Sequence, residues 1–313
     1  MVTERMLASG AEEPGDHPGS NGTPMWYRKA MEQPGESRFL NVDGAAIHSL
    51  HWGHRSGAKP LLLLLHGLRA HARWWDFLAP MFAPSYHVVA MDFSGMGDSA
   101  RRESYDVSQF AREIIAVAQT YGAGAPVNAV GHSYGGGRLL RACYEQPSLF
   151  ERAIAVDAHV YFRDDNLRMP PQPLGTKIYA SADAAIARFR LTPEQPDTPN
   201  FLLTHVARHG LKHTDDGWRW KLDPAVTADG HTEIDGETLL SGISVPVDVV
   251  VGEQSKVVSQ ALAQRIATHL VNARGPITIP SGHHHLMLDQ PIALVATINA
   301  LLANQTHGAP HAR

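Results

Sequence analysis

Residues 127–137 read Val-Asn-Ala-Val-Gly-His-Ser-Tyr-Gly-Gly-Gly, and few folds admit such a segment. A short apolar run ends in Gly131-His132-Ser133-Tyr134-Gly135, and a helical pattern follows. A serine that projects its hydroxyl from a tight strand-to-helix turn sits in strained backbone. The residues two positions to either side must then be small. The turn also puts Ser133 near a helix N-terminus, where backbone N–H groups face developing negative charge. The spacing predicts an activated nucleophile at Ser133. The plainer alternative is a Gly-rich turn that only packs a helix on a sheet.

Strands and helices alternate around that turn. Residues 39–52 read as a hairpin about Asp43-Gly44, a two-residue turn signal. Residues 60–65 form a wholly apolar strand that ends in His66-Gly67-Leu68. A helical segment over 72–82 follows, carrying Trp74 and Trp75. Residues 86–91 are the next strand and lead into a Gly-rich turn, residues 92–99, which is structural rather than catalytic. A helix over 107–121, a strand over 127–130, a helix over 134–145 and a strand over 150–156 with Asp157 at its end complete the first half. This order implies crossover connections and a mostly parallel sheet covered on both faces. Ligands bind such sheets at the carboxyl ends of the strands, where His66-Gly67, Asp92 and Ser133 fall.

Beyond residue 160 the character changes. Prolines cluster at positions 170, 171, 173, 193, 196 and 199, two helical patterns run over 176–190 and 200–209, and Trp218 and Trp220 follow. This predicts a mainly helical cap over 161–241, inserted into a core of residues 38–160 and 242–303. Trp218, Trp220, Phe189 and Phe201 are candidates either to line a pocket beneath the cap or to form the cap's own core. The alternation resumes with a strand over 245–251, a helix over 259–271, a strand over 276–279 and a closing helix to about 303. Residues 1–37 lack periodicity and read as a flexible arm with Trp26 and Tyr27 available to anchor it. Residues 304–313 read as a flexible tail.

Composition excludes several function classes. A net charge of −4 over 313 residues offers no polyanion-binding surface, so no nucleic-acid partner is expected. The longest apolar stretch, residues 61–65, is far too short to span a bilayer, and no signal-peptide pattern opens the chain. The single cysteine, Cys143, permits no internal disulfide. The expectation is a soluble, cytoplasmic protein. The one cluster among 19 histidines is His283-His284-His285. Adjacent residues splay apart on an extended loop, and no matching ligand motif accompanies them, so neither metal nor cofactor is expected.

Four features together carry a resemblance. They are the strand-His66-Gly67 turn, Asp92-x-x-Gly95-x-Gly97-x-Ser99, the elbow Gly131-His132-Ser133-Tyr134-Gly135, and a late histidine before Asp289-Gln290-Pro291. Across about residues 38–303 the chain resembles the α/β-hydrolase fold superfamily. The resemblance implies an α/β fold class, with a mostly parallel central sheet flanked by helices and an inserted cap. It also implies catalytic residues in the chain order Ser, acid, His. Family spacing counted back from Pro291 gives His284 as the base. His283 then stands where the family has glycine, and His283 and His285 are the other options. Two carboxylates compete as the acid. Asp157 follows the strand next in sequence to the one carrying Ser133, and some relatives use this position. Glu253 lies in Gly252-Glu253-Gln254-Ser255-Lys256, where many relatives place the acid, with Ser255 where an aspartate often stands. The implied oxyanion hole is the backbone N–H groups of Leu68 and Tyr134.

The chemistry requires these types. A serine hydroxyl is a poor nucleophile until a base takes its proton, and histidine titrates near neutrality. A carboxylate fixes the histidine tautomer and stabilises the imidazolium. The expected activity is a carboxylesterase-like serine hydrolase that cleaves a small or medium ester, lactone or thioester through an acyl-enzyme. Its partner is a small-molecule substrate. The same triad also serves C–C bond hydrolysis, cofactor-free perhydrolysis and hydroxynitrile-lyase-like reactions, and the scaffold also serves as a ligand-binding receptor without turnover. Ser133 argues against epoxide hydrolase or haloalkane dehalogenase chemistry, because those resembling families carry aspartate at the elbow.

Overall fold

The computed structural model describes residues 22–54, 59–164, 177–196, 198–227 and 234–303. Helix α1 (Met25–Met31) precedes strands β1 (Glu36–Val42) and β2 (Ala45–Trp52). These pair antiparallel, with Val42 opposite Ala45. The two residues between them, Asp43 and Gly44, both adopt positive φ (47° and 81°), as a tight hairpin turn with the right-handed strand twist demands. Strand β3 is Leu61–Leu65, helix α2 is Ala79–Phe82, β4 is His87–Met91, and α3 is Val107–Tyr121. Then come β5 (Val127–His132), α4 (Tyr134–Glu145) and β6 (Phe150–Val156). The intervening cap carries α5 (Ala182–Ile186), α6 (Asn200–His209), β7 (Leu211–Thr214) and β8 (Gly217–Trp220). The chain closes with α7 (Gly236–Ser241), β9 (Val247–Gly252), α8 (Gln260–His269), β10 (Ala273–Ile279), α9 (Leu286–Asp289) and α10 (Pro291–Ala303).

The main sheet has eight strands in the order β1-β2-β4-β3-β5-β6-β9-β10. Only the pairings β1–β2 and β2–β4 are antiparallel. Five consecutive leucines make β3 the buried centre. Leu61, Leu63 and Leu65 pack on one face with Phe110 and Ile114 of α3 and Leu139 of α4. Leu62 and Leu64 pack on the other face with Trp75, Phe77 and Leu294 and Ile298 of α10. Strand alternation thus splits one apolar run between two cores. Burying each such side chain contributes about 1.5–3 kcal/mol. The chain steps from β3 to β4 on one side and to β5 on the other. The crevice at that reversal, beyond the carboxyl ends of β3 and β5, is where sheets of this kind bind ligands.

Five expectations change. The N-terminal segment is not a free arm up to residue 37. Residues 25–31 are helical, and Tyr27 packs edge-on against Phe201 of α6 at 4.9 Å, which buries aromatic surface. The predicted helix over 72–82 is broken into a 3-10 turn, Ala72–Trp74, and the short α2, because Pro80 lacks an N–H and favours a helix start. The pattern over 176–190 yields only α5, started by the Ser181 hydroxyl accepting the Ala184 N–H at 3.1 Å; residue 176 lies outside the described residues. The Trp pair lies in a strand, so the cap is helical with a two-stranded hairpin, β7–β8. Both ends of the predicted 161–241 insertion belong to the core, since Phe162 and α7 residues Leu239 and Leu240 pack with Leu139 and Leu140. Cys143 is fully buried in α4, and burial pushes its thiol pKa up, so it is packing rather than chemistry. Among the described residues no helix is long and apolar enough to cross a membrane.

Candidate active site

The turn between β5 and α4 is sterically forced. Ser133 has φ 52° and ψ −118°, a conformation that a non-glycine residue holds only at a cost of roughly 1–3 kcal/mol. A Cβ on Gly131 would lie 2.6 Å from Gly136 Cα, and one on Gly135 would lie 2.5 Å from the His66 carbonyl oxygen. The Ser133 N–H donates to the Val156 carbonyl at 2.9 Å, which pins the elbow to β6. Ser133 itself is half-buried.

Asp157 directly follows β6, which lies beside β5 in the sheet, and also holds a left-handed backbone (φ 46°). Its carboxylate is fully buried. Oδ2 accepts the Gly252 N–H at 2.9 Å, and Oδ1 accepts the Ser255 hydroxyl at 2.6 Å. The same Oδ1 accepts Nδ1–H of His284 at 2.7 Å. With Nδ1 engaged, the free lone pair of a neutral His284 lies on Nε2. The His284 carbonyl accepts from His132 Nε2 at 2.8 Å, and the two rings lie 4.8 Å apart. His284 is thereby held beside the residue that precedes Ser133.

The neighbouring histidines are engaged elsewhere. His283 Nδ1 and its backbone N–H both donate to Asp289 Oδ2, at 2.9 and 2.7 Å. The His285 ring lies 5.4 Å from Trp74, and its backbone N–H donates to Gln195 of the cap at 2.9 Å. Burial, and then repulsion from His284, pulls the His285 pKa down to about 3, so its ring is neutral. Burial likewise holds the His132 pKa well below the usual value.

Glu253 is exposed, and its Oε2 accepts the Ser281 N–H at 2.8 Å. The structure therefore brings Asp157, not Glu253, to His284. Asp248 is inside β9, paired with Arg152 at 2.9 Å and Arg274 at 3.1 Å. The residue that sequence reasoning passed over is Ser255. The sequence shows only that this position lacks a carboxylate; the hydroxyl it supplies to Asp157 depends on the fold.

Leu68 follows the β3 turn, where the Ala70 N–H closes on the Gly67 carbonyl at 3.2 Å. Tyr134 is the first residue of α4, and the first N–H groups of a helix have no acceptor within it. Asp92 is a structural hub. It accepts His48 Nδ1 at 2.7 Å, the Ala72 N–H at 2.6 Å and the Asp98 N–H at 2.9 Å. Burial would raise its pKa, but the His48 bond and nearby histidines hold it below the usual carboxylate range.

A cavity of about 860 Å³ opens between the core and the cap hairpin, with Leu68, Trp74 and His285 at its core side and Phe189 and Trp220 at its cap side. The other two aromatic candidates pack inside the cap or against α1. Trp218 meets His213 at 5.2 Å, and Phe201 meets Tyr27. Among the described residues, three sets of groups have atoms close enough to share an ion: His132, His284 and His285; Asp76, His205 and His209; and His48, Asp92 and Asp98. The first contains the candidate base. In the others a carboxylate already meets a cation or a donor, Arg73 at 3.3 Å for Asp76 and His48 for Asp92.

The eight-stranded sheet, the strained serine elbow and the buried Asp–His pair define the α/β-hydrolase fold. Residues 62–298 match the sequence profile of the alpha/beta hydrolase family, and the chain belongs to that family. Uncharacterised proteins of Mycobacterium tuberculosis and Mycobacterium bovis are 31% identical over 131 residues, 40% of this chain and 37% of theirs. The chain thus matches little more than a third of the length of those curated relatives. The 2-(acetamidomethylene)succinate hydrolase of Mesorhizobium japonicum is 24% identical over 73% of this chain and 82% of its own. Among solved structures, a thioesterase domain from the curacin biosynthetic pathway superposes with a TM-score of 0.70 at 26% identity, covering 85% of this chain and 99% of that one.

Proposed function

We propose that the protein is a serine hydrolase that cleaves an ester or thioester through an acyl-enzyme, with Ser133 as nucleophile, His284 as base and Asp157 as its carboxylate partner. The observation that carries this reading is the 2.7 Å bond from His284 Nδ1 to a fully buried Asp157, on the strand next to the one that delivers Ser133. The names of the succinate hydrolase and thioesterase relatives support the same class.

In this mechanism Ser133 Oγ attacks the substrate carbonyl carbon while His284 Nε2 takes the hydroxyl proton. Asp157 stabilises the imidazolium without itself taking a proton. The oxyanion is met by the N–H groups of Leu68 and Tyr134. Each such donor is worth about 3 kcal/mol at the transition state. Collapse expels the alcohol or thiol, which receives the proton from His284. A water activated by the same nitrogen then hydrolyses the acyl-enzyme and restores Ser133. Turnover of p-nitrophenyl esters from C2 to C12 by wild type and Ser133→Ala tests this reading. Serine-dependent turnover supports it, and ester cleavage that survives in Ser133→Ala overturns it.

A further inference from the structure

The cavity beneath the cap is unusually cationic for this chain. Among the described residues its lining includes eight Lys or Arg side chains and two carboxylates, in a protein whose net charge is −4. Six of these cations come from three parts of the chain. Arg69 follows Leu68, Arg188 and Arg190 follow α5, and Lys212, Arg219 and Lys221 belong to the β7–β8 hairpin and its exit. Arg69 is held with φ 63°, a left-handed conformation that costs a non-glycine residue roughly 1–3 kcal/mol and recurs at ligand sites.

Local carboxylates neutralise this wall only in part. Asp216 pairs with Arg219, Asp98 pairs with Lys221 at 2.7 Å, and Asp223 lies 3.8 Å from Arg101. With Arg69 set aside, and with Asp98 and Asp223 added to the two acids of the lining, seven cations face four carboxylates among the described residues. Burial, then the charges of Arg101, Lys221 and Arg219, lowers the Lys212 pKa, as expected where positive charge is in excess. Apolar walls at Leu68, Trp74, Phe189 and Trp220 concentrate the field of those charges in a space bordered by Leu68, the candidate oxyanion residue, and by His285, the sequence neighbour of the candidate base.

We propose that the substrate bears an anionic group, a carboxylate or a phosphate, which this cationic wall holds while the ester or thioester carbonyl meets Ser133. The proposal deepens the serine-hydrolase reading and rests on it. A carboxylate would arrive on the acyl part, as in a monoester of a dicarboxylic acid. A phosphate would arrive on the leaving group, as in an acyl-coenzyme A.

Two pairs compare a neutral with an anionic substrate: p-nitrophenyl butyrate against mono-p-nitrophenyl glutarate, and S-butyryl-N-acetylcysteamine against butyryl-coenzyme A; because the second pair also differs in size, salt and charge reversal isolate the charge. The expected result is a kcat/KM at least tenfold higher for the anionic member of one pair. Which pair it is identifies the source of the charge. That advantage should shrink several-fold in 0.5 M salt, on the order expected when a Debye length of about 10 Å falls towards 3 Å. It should fall at least tenfold in the double variant Arg188→Glu/Lys212→Glu, whose two side chains are exposed and tolerate charge reversal. Ser133-dependent turnover with no anionic preference in either pair overturns the proposal and leaves the hydrolase reading intact. If no ester turns over, the hydrolase reading fails, and calorimetric binding of coenzyme A and of glutarate to wild type decides the anion site alone. Binding that the double variant weakens tenfold sustains it, and no binding of either probe overturns it.

Discussion

Ser255 Oγ lies 2.6 Å from Asp157 Oδ1, the carboxylate oxygen that also pairs with His284. Its own oxygen accepts the N–H groups of Val257 and Val258 at 3.2 and 3.1 Å, which fix the hydroxyl in the orientation that donates to Asp157. The loop after β9 therefore supplies a hydrogen-bond donor to a carboxylate on β6, instead of supplying the carboxylate. Ser255→Ala leaves a buried carboxylate one donor short. It should cost about 1–3 kcal/mol of stability, readable by urea unfolding, together with a several-fold fall in kcat.

The resemblance drawn from the sequence places an acid at the Ser255 position in many relatives. Asp157→Asn should lower kcat by about 10⁴-fold, the order seen when a triad carboxylate becomes an amide. Adding Ser255→Asp to that variant should recover at least tenfold. Steady-state ester kinetics on the single and double variants check this. A double variant no better than the single one would mean that position 255 cannot address His284.

The three histidines separate by partner. His284→Ala should abolish nearly all turnover, and His283→Ala should lower stability through loss of the ring Nδ1 bond to Asp289, with the backbone N–H bond kept, while retaining turnover. Parallel measurement of kcat and of the unfolding midpoint distinguishes the two. Turnover lost in His283→Ala and kept in His284→Ala would shift the register by one residue.

Glycine at 135 is a packing requirement as much as a catalytic one. Ala at this position would drive its Cβ to 2.5 Å from backbone at His66. Gly135→Ala should destabilise the fold by about 1–3 kcal/mol, as other forced contacts in packed cores do. Thermal and chemical unfolding measure it.

Stability should fall as pH drops from 7 towards 4. Burial depresses the folded pKa of His51 to about 2, of His71 to about 4 and of His285 to about 3. Unfolded, each titrates near the ordinary value of about 6.5. Between those values the unfolded chain binds more protons, so stability is fully present above about pH 6.5 and is lost as pH falls through the window. Each histidine contributes a slope of at most about 1.4 kcal/mol per pH unit. Glu113 and Asp248, whose carboxyls burial pushes up, act in the opposite direction, but they are fewer. Unfolding free energy measured from pH 4 to 8 checks the sign.

Much of this was legible in the sequence where the signal was local and long. The leucine run of β3, the hairpin turn at Asp43-Gly44 and the Gly131–Gly135 spacing each dictate their own geometry. The cap helix at 200–209 shows its full period. The β7–β8 hairpin was not legible, because four residues per strand give too little alternation to separate from a loop, and the Trp pair drew attention to packing. Helix α1 depends on contacts with Phe77 and Phe201, far along the chain, so its own composition does not announce it. At the candidate site, neighbouring strands pointed to Asp157, and the spacing before Pro291 implied by the family resemblance pointed to His284. The Ser255 hydroxyl and the cationic cavity wall arise only when loops distant in sequence converge.

Fluorophosphonate labelling followed by intact mass and peptide mapping tests the nucleophile most directly. The expected result is one adduct, mapped to Ser133, absent from Ser133→Ala and slowed by at least a hundredfold in His284→Ala. Failure of the wild type to label, or an adduct that persists in Ser133→Ala, would contradict an activated serine at the elbow.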